Sequence, residues 1–340
     1  MQKRATITDV AKKAGVAPST VSFVLNNTKN QKISETTKQK ILDCVEELGY
    51  VANFQARNIA KKTSQSRTIG VVMSYKLEHT YSHEIIHGLS EEAIGNGYGL
   101  LICGIDRDVD KNSTFIQYFL EGRIDGIIFI SSAHSESRSR ENDYIDVFIK
   151  YNIPFVVLYG YSNRNDASYI NIDLKQGSRD ATRFLVDKGL ENLVYIGVLD
   201  KKNETSFLPK TEQDRIDGYK EVVITPEIIF LPRDFASMDN NDILEKLNRF
   251  NQVDGFITCW ATIGIQLASW IKSTGRHSDA RIIALDTLPY MEHTHRDILS
   301  VKLPFYELSK LGIKTIIHKL NSKKSRNEII YCPCQLQNNY

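Results

Sequence analysis

Apolar residues recur at helical spacing in two short segments at the start of the chain. In "TITDVAKKAGVAPSTVSFVLNN", Thr6 to Asn27, Val10, Ala11 and Ala14 share one face. After Gly15, Val21, Val24 and Leu25 repeat the i, i+3, i+4 pattern. Thr8 is predicted as the first N-cap, with Asp9 in the first turn at the positive end of the helix dipole. Pro18 lacks an N–H and so suits the first turn of a second helix, which Asn26 and Asn27 end. Ser34 is predicted to cap a third helix, "ETTKQKILDCVEELG", with Ile41, Leu42, Val45 and Leu48 inward and Gly49 as its stop. Three such helices can bury one small core ending near Tyr50. Their order fits a helix-turn-helix, whose second helix enters a major groove. A plain three-helix bundle is the alternative.

From Thr68 the pattern changes. Short apolar runs, "IGVVM", "GLLICG", "DGIIFIS" and "IPFVVLYG", alternate with helical segments, and after Tyr169 the alternation restarts with "YINID". Such alternation predicts parallel sheets covered by helices on both faces. Two halves predict two lobes, with a ligand cleft at the strand carboxyl ends. The predicted fold is therefore an all-α helix-turn-helix head on an α/β body of two doubly wound parallel-sheet lobes.

Charge sharpens this division. The whole chain of 340 residues carries only +2, yet residues 1–62 hold eleven Lys/Arg against five Asp/Glu. A basic head on a mildly acidic body fits an anionic partner for the head, nucleic acid before membrane. No secretory signal follows Lys3 and Arg4, and no apolar run is long enough to span a bilayer. Five scattered cysteines point to reduced thiols in the cytoplasm rather than a disulfide framework.

One stretch carries enzyme-like chemistry. "HEIIH" (His83, Glu84, His87) matches the H-E-x-x-H of zinc hydrolases, in which two histidines hold metal and the glutamate acts as base. The competing reading is an amphipathic helix with Ile85, Ile86 and Leu89 inward. The acidic run from Asp106 fails as a calcium loop, with Lys111 and Gln117 at the positions needing Gly and Glu. No Ser/His/Asp set has supporting context, and no cofactor or resident metal is expected.

The run "TITDVAKKAGVAPSTVSFVLN", then "ISETTKQKILDCVEELGYVANFQARNIA", then "IGVVM", resembles the lactose/galactose-repressor (LacI–GalR) family of bacterial regulators. The likeness is dense over residues 5–73 and looser to about residue 320. It implies base reading by Pro18, Ser19 and Phe23. Many members carry Arg at the last position; Phe cannot fork two hydrogen bonds to guanine but can pack on a thymine methyl. Ser19, Thr20 and Ser22, with Lys29 and Lys32, are candidate phosphate contacts, and Thr8 in the first helix is a further candidate DNA-binding residue. "NFQARNIAKK", from Asn53, resembles the hinge helix that forms on DNA, with Ile59 as the wedge into the minor groove; an ordinary linker helix is the alternative. The resemblance implies a periplasmic-binding-protein-like body. The expected domains are 1–50, the hinge and linker 51–67, and the body 68–340. Lobe 1 is expected at about 68–163 plus 298–325, and lobe 2 at about 164–297 plus 326–340. The helix near Phe305 should rejoin lobe 1.

In the cleft, the resemblance implies effector contacts at Arg215 and Asp286, with Tyr81 near the mouth. Arg suits bidentate binding and Asp accepts hydroxyls, so the pair fits a polyhydroxylated ligand. Two departures stand out: Trp260-Ala261 where relatives place Asn-Asp, and Tyr159 where they offer Asp. These aromatic faces could stack a ring of a sugar, an oligosaccharide or a nucleobase-like plane. Alternatively, Trp260 plugs the cleft and no small molecule acts. The expectation is a cytoplasmic homodimer, more a repressor than an activator, binding a pseudo-palindromic operator under control of a small effector. A sugar-binding or hydrolytic protein with an incidental head is the distant alternative.

Overall fold

Thr6, not Thr8, starts the first helix. In a computed structural model of the chain, described over residues 5–25, 28, 31–50, 65–73, 81–103, 113–131, 137–160, 162, 164–199, 208–232, 246–250, 252–289, 291–322 and 326–337, helix α1 spans Ile7–Ala14. The cause is a reciprocal cap. Asp9 N–H donates to Thr6 Oγ1 at 3.3 Å, and Thr6 N–H donates to Asp9 Oδ2 at 2.8 Å. Thr8 lies inside the first turn, exposed. Gly15 takes φ 70°, where a residue with a side chain would be strained, and Val16 N–H reaches back to Ala11 O at 3.0 Å. Helix α2 (Pro18–Leu25) begins on its proline, as expected. Helix α3 (Glu35–Glu47) is capped by Ser34, whose Oγ accepts the Thr37 N–H at 3.2 Å, and the chain turns at Gly49 with φ 57°.

The core of this head is small. Val10, Ala11, Ala14, Val21, Ile41 and Cys44 are buried together, with Val24, Leu25, Val45, Leu48 and Tyr50 packed around them. Leu42, expected inward, is 45% exposed. At 100° per residue the inward stripe from Ile41 runs through Cys44, Val45 and Leu48, which leaves Leu42 off the face.

The chain divides into two units, Met1–Ser66 and Arg67–Tyr340. In the second, the first sheet holds β1 (Thr68–Met73), β2 (Gly99–Cys103), β3 (Gly126–Ile130), β4 (Phe155–Leu158), β5 (Tyr169–Asp173) and β11 (Ile329–Pro333). The second holds β6 (Leu193–Leu199), β7 (Glu227–Pro232), β8 (Gly255–Thr258), β9 (Arg281–Ala284), β10 (Ile298–Lys302) and β12 (Gln335–Gln337). The strand orders are β2-β1-β3-β4-β5-β11 and β7-β6-β8-β9-β10-β12. All described pairs are parallel except β10–β12. Buried Val, Ile and Phe fill β1, β3 and β4, the composition of strands covered on both faces.

Helices α4 (Ser82–Gly95), α5 (Thr114–Leu120), α6 (Ser137–Lys150), α7 (Leu174–Asp187), α8 (Lys210–Lys220), α9 (Ala261–Thr274), α10 (Met291–Thr294) and α11 (Phe305–Asn321) complete the body. Helix α11 packs on α4 and on β3, β4 and β5, so the helix at Phe305 does rejoin the first lobe.

Lobe membership differs from the sequence expectation at three strands. β5 joins the first sheet, with Val157 opposite Tyr169; β11 joins it too, with Ile329 opposite Tyr169. β10 belongs to the second sheet, with Ile298 opposite Ile282. Periodicity reports that a strand is buried; only the backbone pairing decides in which sheet. The chain therefore crosses between lobes after Asp173, between Lys302 and Phe305, and at Cys334.

Candidate DNA-reading helix and inter-lobe cleft

On the head, α2 turns Val21 into the core and leaves the opposite face outward. Pro18 and Ser19 are exposed, Thr20 and Ser22 are half-buried, and Phe23 is 36% exposed. A large aromatic held at that exposure on a surface helix has no share in the head's buried core. Lys32 is exposed in the segment before α3. Lys13 is held by Glu47 at 2.5 Å, an ion pair between α1 and α3, so part of the basic excess serves the head itself. Lys29, Asn53 and Ile59 lie outside the described residues.

Within the body, the cleft residues come from both lobes. Tyr81, just before α4 in the first lobe, donates its hydroxyl to Asp286 Oδ2 at 2.6 Å; Asp286 follows β9 in the second. The other carboxylate oxygen accepts the backbone N–H of Ala261, at the start of α9, where the dipole favours a negative charge. Burial pushes the Asp286 carboxyl above its ordinary range, against the pull of Tyr81, Arg215 and the Ala261 N–H. Burial and then Asp286 hold the Tyr81 phenol protonated well above its usual value. This bond ties lobe to lobe directly.

Around it stand three rings and a guanidinium. Tyr81 stacks on Phe305 at 4.5 Å, and Tyr159 meets Phe305 edge-on at 5.4 Å. Trp260, the residue before α9, is half-buried against the core. Arg215 is 5% exposed on α8, with Nη1 3.9 Å from Glu212 Oε2. Burial opposes its charge, but the Glu212 carboxylate beside it works the other way, and the guanidinium stays ionised. Ser178 of α7 donates to the Arg215 carbonyl at 2.6 Å and fixes the helix that carries it.

Toward the crossings, Tyr159, Asn171, Lys210, Thr211, Asp214 and Tyr331 line a narrow cleft of about 310 Å³, its mouth included.

His83 and His87 are exposed on α4, while Ile85 and Leu89 are buried. His87 Nε2 lies 3.7 Å from Glu91 Oε2, and its ring is tilted on Tyr306. Among the described residues no three of His, Cys, Asp or Glu are grouped to hold a metal. The helix is amphipathic for packing, and the zinc-hydrolase alternative finds no support.

Comparison with known proteins completes the picture. A family model described as bacterial regulatory proteins, lacI family, matches residues 6–53, the whole helix-turn-helix. The HTH-type transcriptional regulator RegA of Clostridium saccharobutylicum is 25% identical over 326 residues, covering 94% of this chain and 93% of that protein. The lac repressor dimer bound to operator and the anti-inducer ONPF shares the fold, with a TM-score of 0.75 over 99% of this chain and 98% of that one at 19% identity. So does the transcriptional regulator CelR in its cellobiose complex, with a TM-score of 0.62 over 98% and 99% at 18% identity. Residues 6–53 therefore carry a helix-turn-helix of the lacI-family type, and the chain is similar along nearly its whole length to regulators of this kind.

The head is of a DNA-binding type, and the curated relatives matched along the chain are transcriptional regulators rather than enzymes. No helix among its described residues is long and apolar enough to cross a membrane. The sequence expectation named Tyr81, Tyr159, Arg215, Trp260 and Asp286, but missed the buried Glu212, three residues before Arg215 on the same helix face. That spacing was the available signal. It also missed Phe305, the ring joining Tyr81 to Tyr159, which sits at a helix start behind Pro304 where a packing role was the default.

Proposed function

We propose that this regulator binds a pseudo-palindromic operator as a homodimer, and that a small polyhydroxylated ligand in the inter-lobe cleft, of the sugar or oligosaccharide type, controls it. The observation that carries the ligand reading is the Tyr81–Asp286 hydrogen bond. A ligand hydroxyl competing for Asp286 replaces a direct link between the lobes at the strand ends, and so shifts their arrangement. The stacked rings of Tyr81 and Phe305, with Tyr159 edge-on to Phe305, give a sugar ring an aromatic face, and Trp260 of the second lobe is a candidate for a further one. CelR, of like fold, is a cellobiose complex, which supports this class of ligand.

On the DNA side, Pro18, Ser19 and Phe23 read base edges, while Thr8, Thr20, Ser22, Lys29 and Lys32 contact the backbone. Asn53 and Ile59 act in the hinge, with Ile59 as wedge. Action on DNA places the protein in the cytoplasm. Repression rather than activation follows the family resemblance. Gel shift on palindromic duplexes at two salt concentrations tests this half: affinity should fall steeply with salt. A duplex-binding activity indifferent to salt would overturn it.

Thermal-shift screening against mono- and disaccharides tests the ligand half, with Asp286→Asn and Trp260→Ala as controls. Hits lost in both variants support it. The second reading, a cleft closed on itself, rests on Asp286 having both oxygens engaged by Tyr81 and Ala261. An inert wild type with a Trp260→Ala variant that gains binding would favour it.

A further inference from the structure

An arginine alone in a ligand cleft is an anion trap, because its five donors fit carboxylate and phosphate oxygens. Arg215 is not alone. One turn earlier on α8, Glu212 is also 5% exposed, and its Oε2 faces the guanidinium at 3.9 Å. Glu212 cannot swing aside. Its Oε1 accepts the Tyr195 hydroxyl at 2.8 Å, and a Cβ on residue 197 would approach that oxygen to 2.3 Å, so only glycine at 197 leaves it room. Asp286 supplies a second carboxylate near the same guanidinium. Burial holds the Tyr81 and Tyr195 phenols and the Cys259 thiol, other ionisable groups about the pair, well above their usual values and so neutral at neutral pH. Arg215 Nε nevertheless has no hydrogen-bond partner among the described residues, a buried donor left over for a ligand acceptor.

We propose that Glu212 sets the charge class of the effector: with Asp286 it offsets Arg215, so the cleft accepts an uncharged polyhydroxylated ligand through the spare donor and refuses anionic ones such as sugar phosphates. The proposal rests on the ligand reading of the cleft. Two carboxylates against one cation, in a low-dielectric site, leave an incoming anion repelled on balance.

Inorganic phosphate is the probe, which needs no knowledge of the natural effector. The full chain is melted in rising sodium phosphate against sodium chloride at matched ionic strength, as wild type, Glu212→Gln, Arg215→Gln and the double variant. The wild type should show no saturable rise in Tm beyond that of Arg215→Gln. Glu212→Gln should gain one, with half-saturation roughly tenfold or more below any wild-type response, and the double variant should lose it. Glu212→Ala gives the same readout should the Gln variant fail to fold. Arg215-dependent stabilisation of the wild type by phosphate would overturn the proposal. So would a folded Glu212→Gln or Glu212→Ala that responds no better than wild type. Failure of the sugar reading is seen separately, as a screen in which no saccharide hit depends on Asp286.

Discussion

The head and the body solve stability in opposite ways. The head's core is built from six small or medium side chains with no aromatic among them, so caps and turns at Thr6, Gly15 and Ser34 carry a large share of its order. The body stacks Phe115, Phe129, Tyr144 and Phe148 against one another and runs a second continuous core through both lobes. A domain of the head's size has little margin. Its proposed reading face, however, lies outside its core, so Phe23 can change without unfolding anything. In the body the groups proposed to meet the effector, Arg215, Glu212 and Asp286, are themselves buried, so altering them also touches stability.

That contrast can be broken at its strongest point first. Val21→Asp buries a charge in the head and should cost on the order of 5 kcal/mol. Calorimetry should then lose the head's transition and gel shift its complex, while the body melts as before. Arg215→Ala strands Glu212 in the interior. It should remove roughly 3 kcal/mol from the body, leaving the salt-dependent affinity of the head for bulk duplex intact; an unmoved body transition would deny that the pair is structural. Thr6→Ala deletes the reciprocal cap and should lower head stability by about 1 kcal/mol, read as a shift of the first melting transition alone. Smallest in stability is Phe23→Arg, within about 0.5 kcal/mol. It should add a guanine preference of roughly 1–3 kcal/mol at one base position, visible by selection from randomised duplexes; an unchanged preference would take Phe23 out of the base-reading set.

Local chemistry was the legible part of the sequence. Pro18, Ser34 and Gly49 announced helix ends that the structure has, because each acts within a few residues of itself. The first cap was misread by two positions, since Thr6 and Thr8 both qualify and only the partner three residues on, Asp9, decides between them. Leu42 failed for a similar reason: four inward residues were chosen without the geometry that prefers Cys44. Sheet membership of β5, β10 and β11 was beyond pattern reading, because a buried strand has the same composition in either sheet. In the cleft, Tyr81, Arg215 and Asp286 were named through family resemblance, whereas Glu212 needed the three-dimensional fact that Gly197 opens space for a carboxylate beside a buried arginine.

The central claim is the proposal that the cleft in the body governs how tightly the head holds DNA, and the Tyr81–Asp286 bond joins the two lobes within that cleft. Operator affinity of Tyr81→Phe against wild type, on a duplex selected with the wild-type chain, tests this most directly. The account predicts a change of about fivefold or more in affinity with the salt dependence of non-specific binding unaltered. Equal affinity for that operator in a fully folded variant would contradict it.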